Sequence, residues 1–182
     1  MKDDRDEKHD RFVEYYHKYK DKIFNYLMYR VQFDRALAED LLMDVFMKGY
    51  ENFDKYSPEK GTFKSWIFTI AHNHLVDCWR KLRKQMVSTE ALAEKGIELA
   101  VDSDLDKKAD LEIEKQKVQK VLLLMSEQES ELIALKFIHD FTNEEIVHLL
   151  GRREGAIRTA LHRSLNRFRS LYQKLYPSSN FI

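Results

Sequence analysis

Turn-forming residues are scarce in this chain. Only five glycines and two prolines occur in 182 residues, too few for the repeated tight reversals of an antiparallel sheet, while the helix formers Leu, Lys, Glu, Gln and Ala abound. Apolar residues also recur at steps of three and four, the spacing that places them on one side of a helix. An all-α protein without sheet is expected.

The repeats divide the chain. Phe12, Tyr15, Tyr16, Tyr19, Ile23, Tyr26 and Leu27 predict an amphipathic helix from Lys8 to Val31 with an aromatic core stripe. Asp34 is placed to cap a second helix, in which Ala38, Leu41, Leu42, Val45, Phe46 and Tyr50 form a face wider than one packing stripe needs, ending near Asn52. Residues 52–62 hold Pro58 and Gly61 and read as a loop. Phe63, Trp66, Ile67, Ile70, Ala71, His74, Leu75 and Cys78 then mark a third long helix to about Lys84. Residues 85–106 lose the period, turn acidic, and read as a mobile linker. The period returns from Lys107 with Leu111, Val118, Val121, Leu122 and Met125. Ser126 with Glu129, and Thr142 with Glu145, each have the spacing of a capping box at a helix start. Two small helical domains, 8–84 and 107–176, are therefore expected on either side of a flexible acidic linker.

Charge follows the same division. The formal net charge is zero, but residues 60–86 net +5, residues 88–114 net −6 and residues 146–176 net +6. Two basic segments separated by an acidic one point to two nucleic-acid contacts joined by a segment that avoids phosphate. No apolar run approaches the roughly 20 residues that span a bilayer, and the highly charged first ten residues do not resemble a secretion signal. A cytoplasmic address is expected. Cys78 is the only cysteine, which excludes an internal disulfide and a cysteine-rich zinc site. His74 and Cys78 lie one helical turn apart, but two ligands without a third make no metal site. No Ser/His/Asp set, phosphate-binding glycine loop or carboxylate pair suggests an enzyme, a cofactor or a small-molecule substrate.

The most specific local pattern is a helix-turn-helix. Thr142 opens a helix that buries Ile146, Leu149 and Leu150, Gly151 supplies the backbone freedom for a reversal, and a second helix runs from Glu154 to beyond Arg169. With Ile157, Leu161, Leu165 and Phe168 facing inward, Arg158, Thr159, His162, Arg163 and Asn166 fall on or beside the opposite face. Such side chains suit base edges, since Arg pairs bidentately with guanine and Thr meets a thymine methyl. Arg152, Arg153 and Arg167 are placed to neutralise phosphates.

The run Thr142-Asn-Glu-Glu-Ile-Val-His-Leu-Leu-Gly151, followed by Glu154-Gly-Ala-Ile-Arg-Thr-Ala-Leu-His-Arg163, resembles the promoter-reading C-terminal domain of bacterial sigma factors, specifically the extracytoplasmic-function (ECF) group of the sigma-70 family. Ala38-Glu-Asp-Leu-Leu-Met-Asp-Val-Phe46 resembles that family's polymerase-binding helix. Thr62-Phe-Lys-Ser-Trp-Ile-Phe-Thr-Ile-Ala-His-Asn73, continuing through Asp77 to the basic run Arg80 to Lys84, resembles its promoter-melting helix. Order, spacing and length agree over nearly the whole chain. Met43 stands where the family usually carries glutamine, and Arg152 and Arg153 occupy a turn where many members have an apolar residue and a serine.

The resemblance implies a specificity subunit of RNA polymerase. Residues 8–84 (region 2) would bind the core enzyme at the β′ coiled coil and recognise and melt the −10 element, while residues 107–176 (region 4) would read the −35 element and meet the β flap. The implied partners are core RNA polymerase, promoter DNA and an anti-sigma factor. Asp40, Met43, Asp44 and Met47 are the candidate polymerase contacts, although the two methionines fit equally well as fillers of core gaps. Lys60, Lys64, Arg80 and Lys81 would track the −10 backbone, and Asn73 would read an unpaired base. Phe63, Trp66 and Phe68 are expected in the core, not as stacking platforms. Two other readings fit parts of the pattern: a stand-alone helix-turn-helix regulator with a sensing or dimerising N-terminal domain, and a helical adaptor for acidic proteins. The first has no need of the basic third helix, and the second leaves the donor pattern of the last helix unexplained.

Overall fold

A computed structural model describes residues 4–86 and 108–177, with side chains described for 6–81 and 113–177. Every regular element among them is helical: α1 (Asp4–Arg30), α2 (Arg35–Glu51), α3 (Phe63–Met86), α4 (Lys108–Leu123), α5 (Glu127–Ile133), α6 (Asn143–Leu150) and α7 (Glu154–Leu175). Short 3-10 turns at Phe53–Lys55 and Pro58–Lys60 occupy the expected loop, and a π-helical turn, Ala134–Ile138, continues α5. The expected linker lies almost entirely outside the described residues.

The first unit packs α1, α2 and α3 around an aromatic core. Phe12, Tyr19, Ile23, Tyr26 and Leu27 of α1 meet Ala38, Leu41, Val45 and Phe46 of α2 and Phe63, Ile67, Phe68, Ala71 and Leu75 of α3, all buried. Tyr15 stacks on Phe63 with ring centroids 4.0 Å apart. Phe63 and Phe68 are thus core residues, and Trp66 packs half-buried against them. A methyl at Gly49 would lie 3.0 Å from Ile67 Cδ1 and 3.3 Å from Phe12 Cζ, so glycine allows α2 its close approach to both neighbours. The α1–α2 corner places Gln32 and Phe33 at φ of 55° and 65°, after which the Asp34 carboxylate accepts a hydrogen bond from the Leu37 amide at 3.1 Å.

In the second unit both capping boxes form, at Ser126 with Glu129 and at Thr142 with Glu145. Gly151 ends α6 at φ 62°, a left-handed conformation that costs other residues about 1–2 kcal/mol. Arg153 occupies the N-cap of α7 without a side-chain cap, and Glu154 at the first position binds Arg158 through its carboxylate.

The two units share one core. Leu132, Leu135, Phe141, Ile146, Leu149 and Ile157 belong to the same buried cluster as the aromatic residues of α1 and α3. A second cluster, Val121, Leu122, Met125, Ile133, Phe168 and Tyr172, ties α4 and α5 to the later turns of α7.

Candidate promoter and polymerase interfaces

Helix α7 presents two contrasting sides. Ile157, Ser164, Phe168 and Tyr172 are buried, whereas Arg158, Thr159, His162, Arg163, Asn166 and Arg167 are all exposed, as are Arg152 and Arg153 before it. Arg158 Nη2 donates to Glu154 at 2.8 Å, and the hydroxyl of the exposed Thr159 donates to the Gly155 carbonyl at 2.9 Å. Arg152, Thr159 and Arg163 also line a hollow of about 670 Å³ whose other wall includes Ser126 and Glu129.

Helix α2 likewise exposes what its partners do not cover. Opposite the buried Ala38, Leu41 and Val45 stand Met43, 66% exposed, and Met47, 59% exposed, with Asp40 and Asp44 beside them. Spacings of three and four residues make these a single stripe. The methionines therefore fill no core gap. Asp44 is partly engaged, accepting from His74 Nε2 at 3.0 Å, while the Lys48 ammonium meets the other ring nitrogen. His74 thus pins α3 to α2, and among the described residues no three His, Cys, Asp or Glu side chains converge on a metal position.

The candidate −10 residues do not share one environment. Lys60, Asn73, Arg80 and Lys81 are exposed, and Arg80 pairs with Asp77 at 3.0 Å. Lys64 is turned toward the second unit: its ammonium donates to the Asp140 carbonyl at 3.0 Å and lies 4.1 Å from the Phe141 ring centroid. Burial lowers its pKa, an effect that Glu145 and Asp140 only partly oppose. Next to it, the Ser65 hydroxyl donates to Glu145 at 3.1 Å.

One polar cluster in this boundary carried no signal in the sequence reading. Glu131 of α5 is buried against the first unit, where Tyr26 donates to it at 2.7 Å, His72 at 3.0 Å, and Arg30 approaches to 3.4 Å. Arg30 also donates to the Glu127 carbonyl at 3.1 Å and lies 4.5 Å from the Trp79 ring centroid. Burial pushes the Glu131 carboxyl up, but the His72 hydrogen bond, the charges of Arg30 and His72 and the Tyr26 hydroxyl outweigh it and hold it below the usual carboxylate range. Burial, reinforced by Glu131, drives the Tyr26 phenol well up. His139, between the rings of Tyr26 and Phe68, is lowered to about 4 by burial and then by Lys64 and Lys22.

Comparison with known proteins matches two regions of one family in order. Sigma-70 region 2 matches residues 15–85 and Sigma-70 region 4 matches residues 115–168. The chain belongs to the sigma-70 family. It is an ECF-type sigma factor, and such proteins direct transcription initiation. The ECF RNA polymerase sigma factor SigM of Bacillus subtilis is 26% identical over 161 residues, covering 88% of this chain and 94% of SigM. BldN of Streptomyces coelicolor, also an ECF sigma factor, is 26% identical over 162 residues, which are 86% of this chain but 58% of BldN. Among solved structures, the sigma factor RpoE of Bartonella quintana, in complex with the anti-sigma factor NepR, superposes with a TM-score of 0.73 at 23% identity, covering 89% of this chain and 96% of that one. The fold is therefore that of a two-region sigma factor.

Proposed function

We propose that this sigma factor docks on core RNA polymerase through Asp40, Met43, Asp44 and Met47, so that the holoenzyme selects promoters at two elements. The observation that carries this reading is the methionine–aspartate stripe of α2. Two large apolar side chains left in water one turn apart and flanked by acids suit a partner surface. A stand-alone regulator gives it no task. Residues 8–84 act as the core-binding and −10 unit, with Lys60, Lys64, Arg80 and Lys81 along the backbone and Asn73 at an extruded base. Residues 107–176 act as the −35 unit, α7 lying in the major groove with Arg158, Thr159, His162, Arg163 and Asn166 toward base edges and Arg152, Arg153 and Arg167 toward phosphates. Residues 85–106 join them. The protein acts by binding, without catalysis of its own, and in the cytoplasm; among the described residues no helix is long and apolar enough to cross a membrane. The fold shared with an RpoE solved on its anti-sigma factor supports regulation by a partner of that kind.

Reconstitution tests the assignment. The protein is mixed with core RNA polymerase and genomic DNA, and transcript starts are mapped. Discrete starts absent from core alone are expected, and failure to bind core or to generate them sinks the proposal.

A further inference from the structure

Resting on the docking reading above, we propose that His74 is a positioning residue for polymerase binding: from α3 it holds the Asp44 carboxylate of α2 in its docking orientation and keeps Lys48 off it.

Helical spacing alone would pair Asp44 with Lys48. An acid four residues before a lysine lies one turn away on the same side of the helix, and such pairs are favourable on exposed surfaces. Both side chains are exposed, yet among the described residues no ion pair joins them directly. The imidazole of His74 stands between them, with Nε2 3.0 Å from Asp44 Oδ2 and Nδ1 against the Lys48 ammonium.

The two partners dictate the tautomer. An ammonium only donates and an ionised carboxylate only accepts. Nδ1 therefore accepts from Lys48, and Nε2 carries the proton that it donates to Asp44. The ring is also anchored. His74 is 8% exposed, and Cys78, one turn later on α3, places its sulfur 3.9 Å from Nε2 and 4.0 Å from Nδ1, against the ring but favouring neither nitrogen.

Asp44, by contrast, stays at the surface, its side chain 57% exposed. His74 takes Oδ2, and Oδ1 has no partner among the described residues, so the carboxylate can still accept from a cationic group of the polymerase. A carboxylate already fixed by a buried ring loses less freedom on docking than one that swings. Without the ring, Lys48 is free to bridge to Asp44 and neutralise the acid where the partner needs it.

The test compares affinities of full-length variants for core RNA polymerase by competition against unmodified protein. His74→Leu keeps an apolar filler and removes both hydrogen bonds; it should weaken core binding about 3- to 10-fold, the ordering cost of a side chain no longer held in place. His74→Gln carries an amide that both donates and accepts, and should recover most of that loss. In an Asp44→Ala background, His74→Leu should cost nothing further, because a positioning residue acts only through the group it positions. A merely structural role would give equal losses in both backgrounds and no rescue by glutamine. NMR of the imidazole nitrogens in the free protein reads the geometry without polymerase, and should show His74 with a proton on Nε2 and none on Nδ1. Should His74→Leu lose helicity, the tautomer decides alone. Unchanged binding by His74→Leu, additive losses or the opposite tautomer would overturn the proposal. An Asp44→Ala protein that binds core normally would take down the docking reading and this proposal together, whereas weakened Asp44→Ala beside unaffected His74→Leu would sink the positioning role alone.

Discussion

Arg158 is exposed yet already paired, with Glu154 one turn earlier at 2.8 Å and both side chains more than half exposed. Such a pair contributes at most about 1 kcal/mol, less than the roughly 1–3 kcal/mol of a good bidentate base contact, so DNA should win the guanidinium. Arg158→Ala is therefore expected to reduce selection of the upstream element about 5- to 100-fold, and Glu154→Ala to tighten binding slightly; footprinting of holoenzyme on matched and mismatched elements reads both. Asp44→Arg removes an acid from the α2 stripe and the acceptor of His74, and is expected to weaken core binding at least tenfold, measured by competition against unmodified protein. His139 gives the clearest pH signature. Its ring is held at about 4 against an ordinary 6.5, so between those values the unfolded chain binds a proton that the folded chain refuses. Stability should fall as pH drops from about 6.5 toward 4, by up to about 3 kcal/mol. His139→Leu should flatten that part of a denaturation series; an unchanged slope would show that other groups carry it. Most of these residues were legible beforehand because helical spacing alone decides which side of α2 or α7 faces out. Glu131 and Arg30 were not, since their meaning depends on each other across 101 positions of sequence and neither is unusual in its own helix.

At the scale of elements, local chemistry decided most boundaries. The two capping boxes and the left-handed Gly151 were readable because each involves residues within four positions, and the hydrogen bonds form as expected. Phe63 and Phe68 were correctly placed in the core by their spacing, with Trp66 half-buried at its edge, whereas Met43 and Met47 were ambiguous because a methionine suits a gap and a partner surface equally. The π-helical turn after α5 left no pattern; it follows from tertiary packing that buries Leu135 and Phe141 together and sets Asp140 at φ 53°. Neither Asp34 nor Gln32 faces a proposed ligand, so the corner they form offers a test of the fold alone. Asp34→Ala should lose about 1 kcal/mol with the α2 cap, lowering the melting temperature by about 2–4 °C. Gln32→Gly should raise it by a smaller amount, because glycine occupies a positive φ without steric penalty. Opposite signs from residues two positions apart in a thermal scan are hard to obtain by general loosening of the corner.

For the whole molecule, the decisive quantity is how many phosphates one chain can meet at once. Arg152, Arg153 and Arg167 lie on the second unit, and Lys60, Lys64, Arg80 and Lys81 on the first, with Lys64 bonded to the Asp140 carbonyl. Each neutralised phosphate steepens the salt dependence by about 0.9 in log–log slope on duplex DNA and about 0.7 on single strands. Three contacts therefore give a slope near −3, and seven give one of about −6. A holoenzyme carrying Ala at Lys60, Lys64, Arg80 and Lys81 should therefore show a salt slope on a pre-melted promoter shallower by about 3 than the unaltered holoenzyme, from four single-strand contacts at about 0.7 each. Filter binding between about 50 and 200 mM salt measures both slopes. Equal slopes would mean that the first unit's cations stay off the DNA, and the −10 assignments of Lys60, Lys64, Arg80 and Lys81 would fall with them.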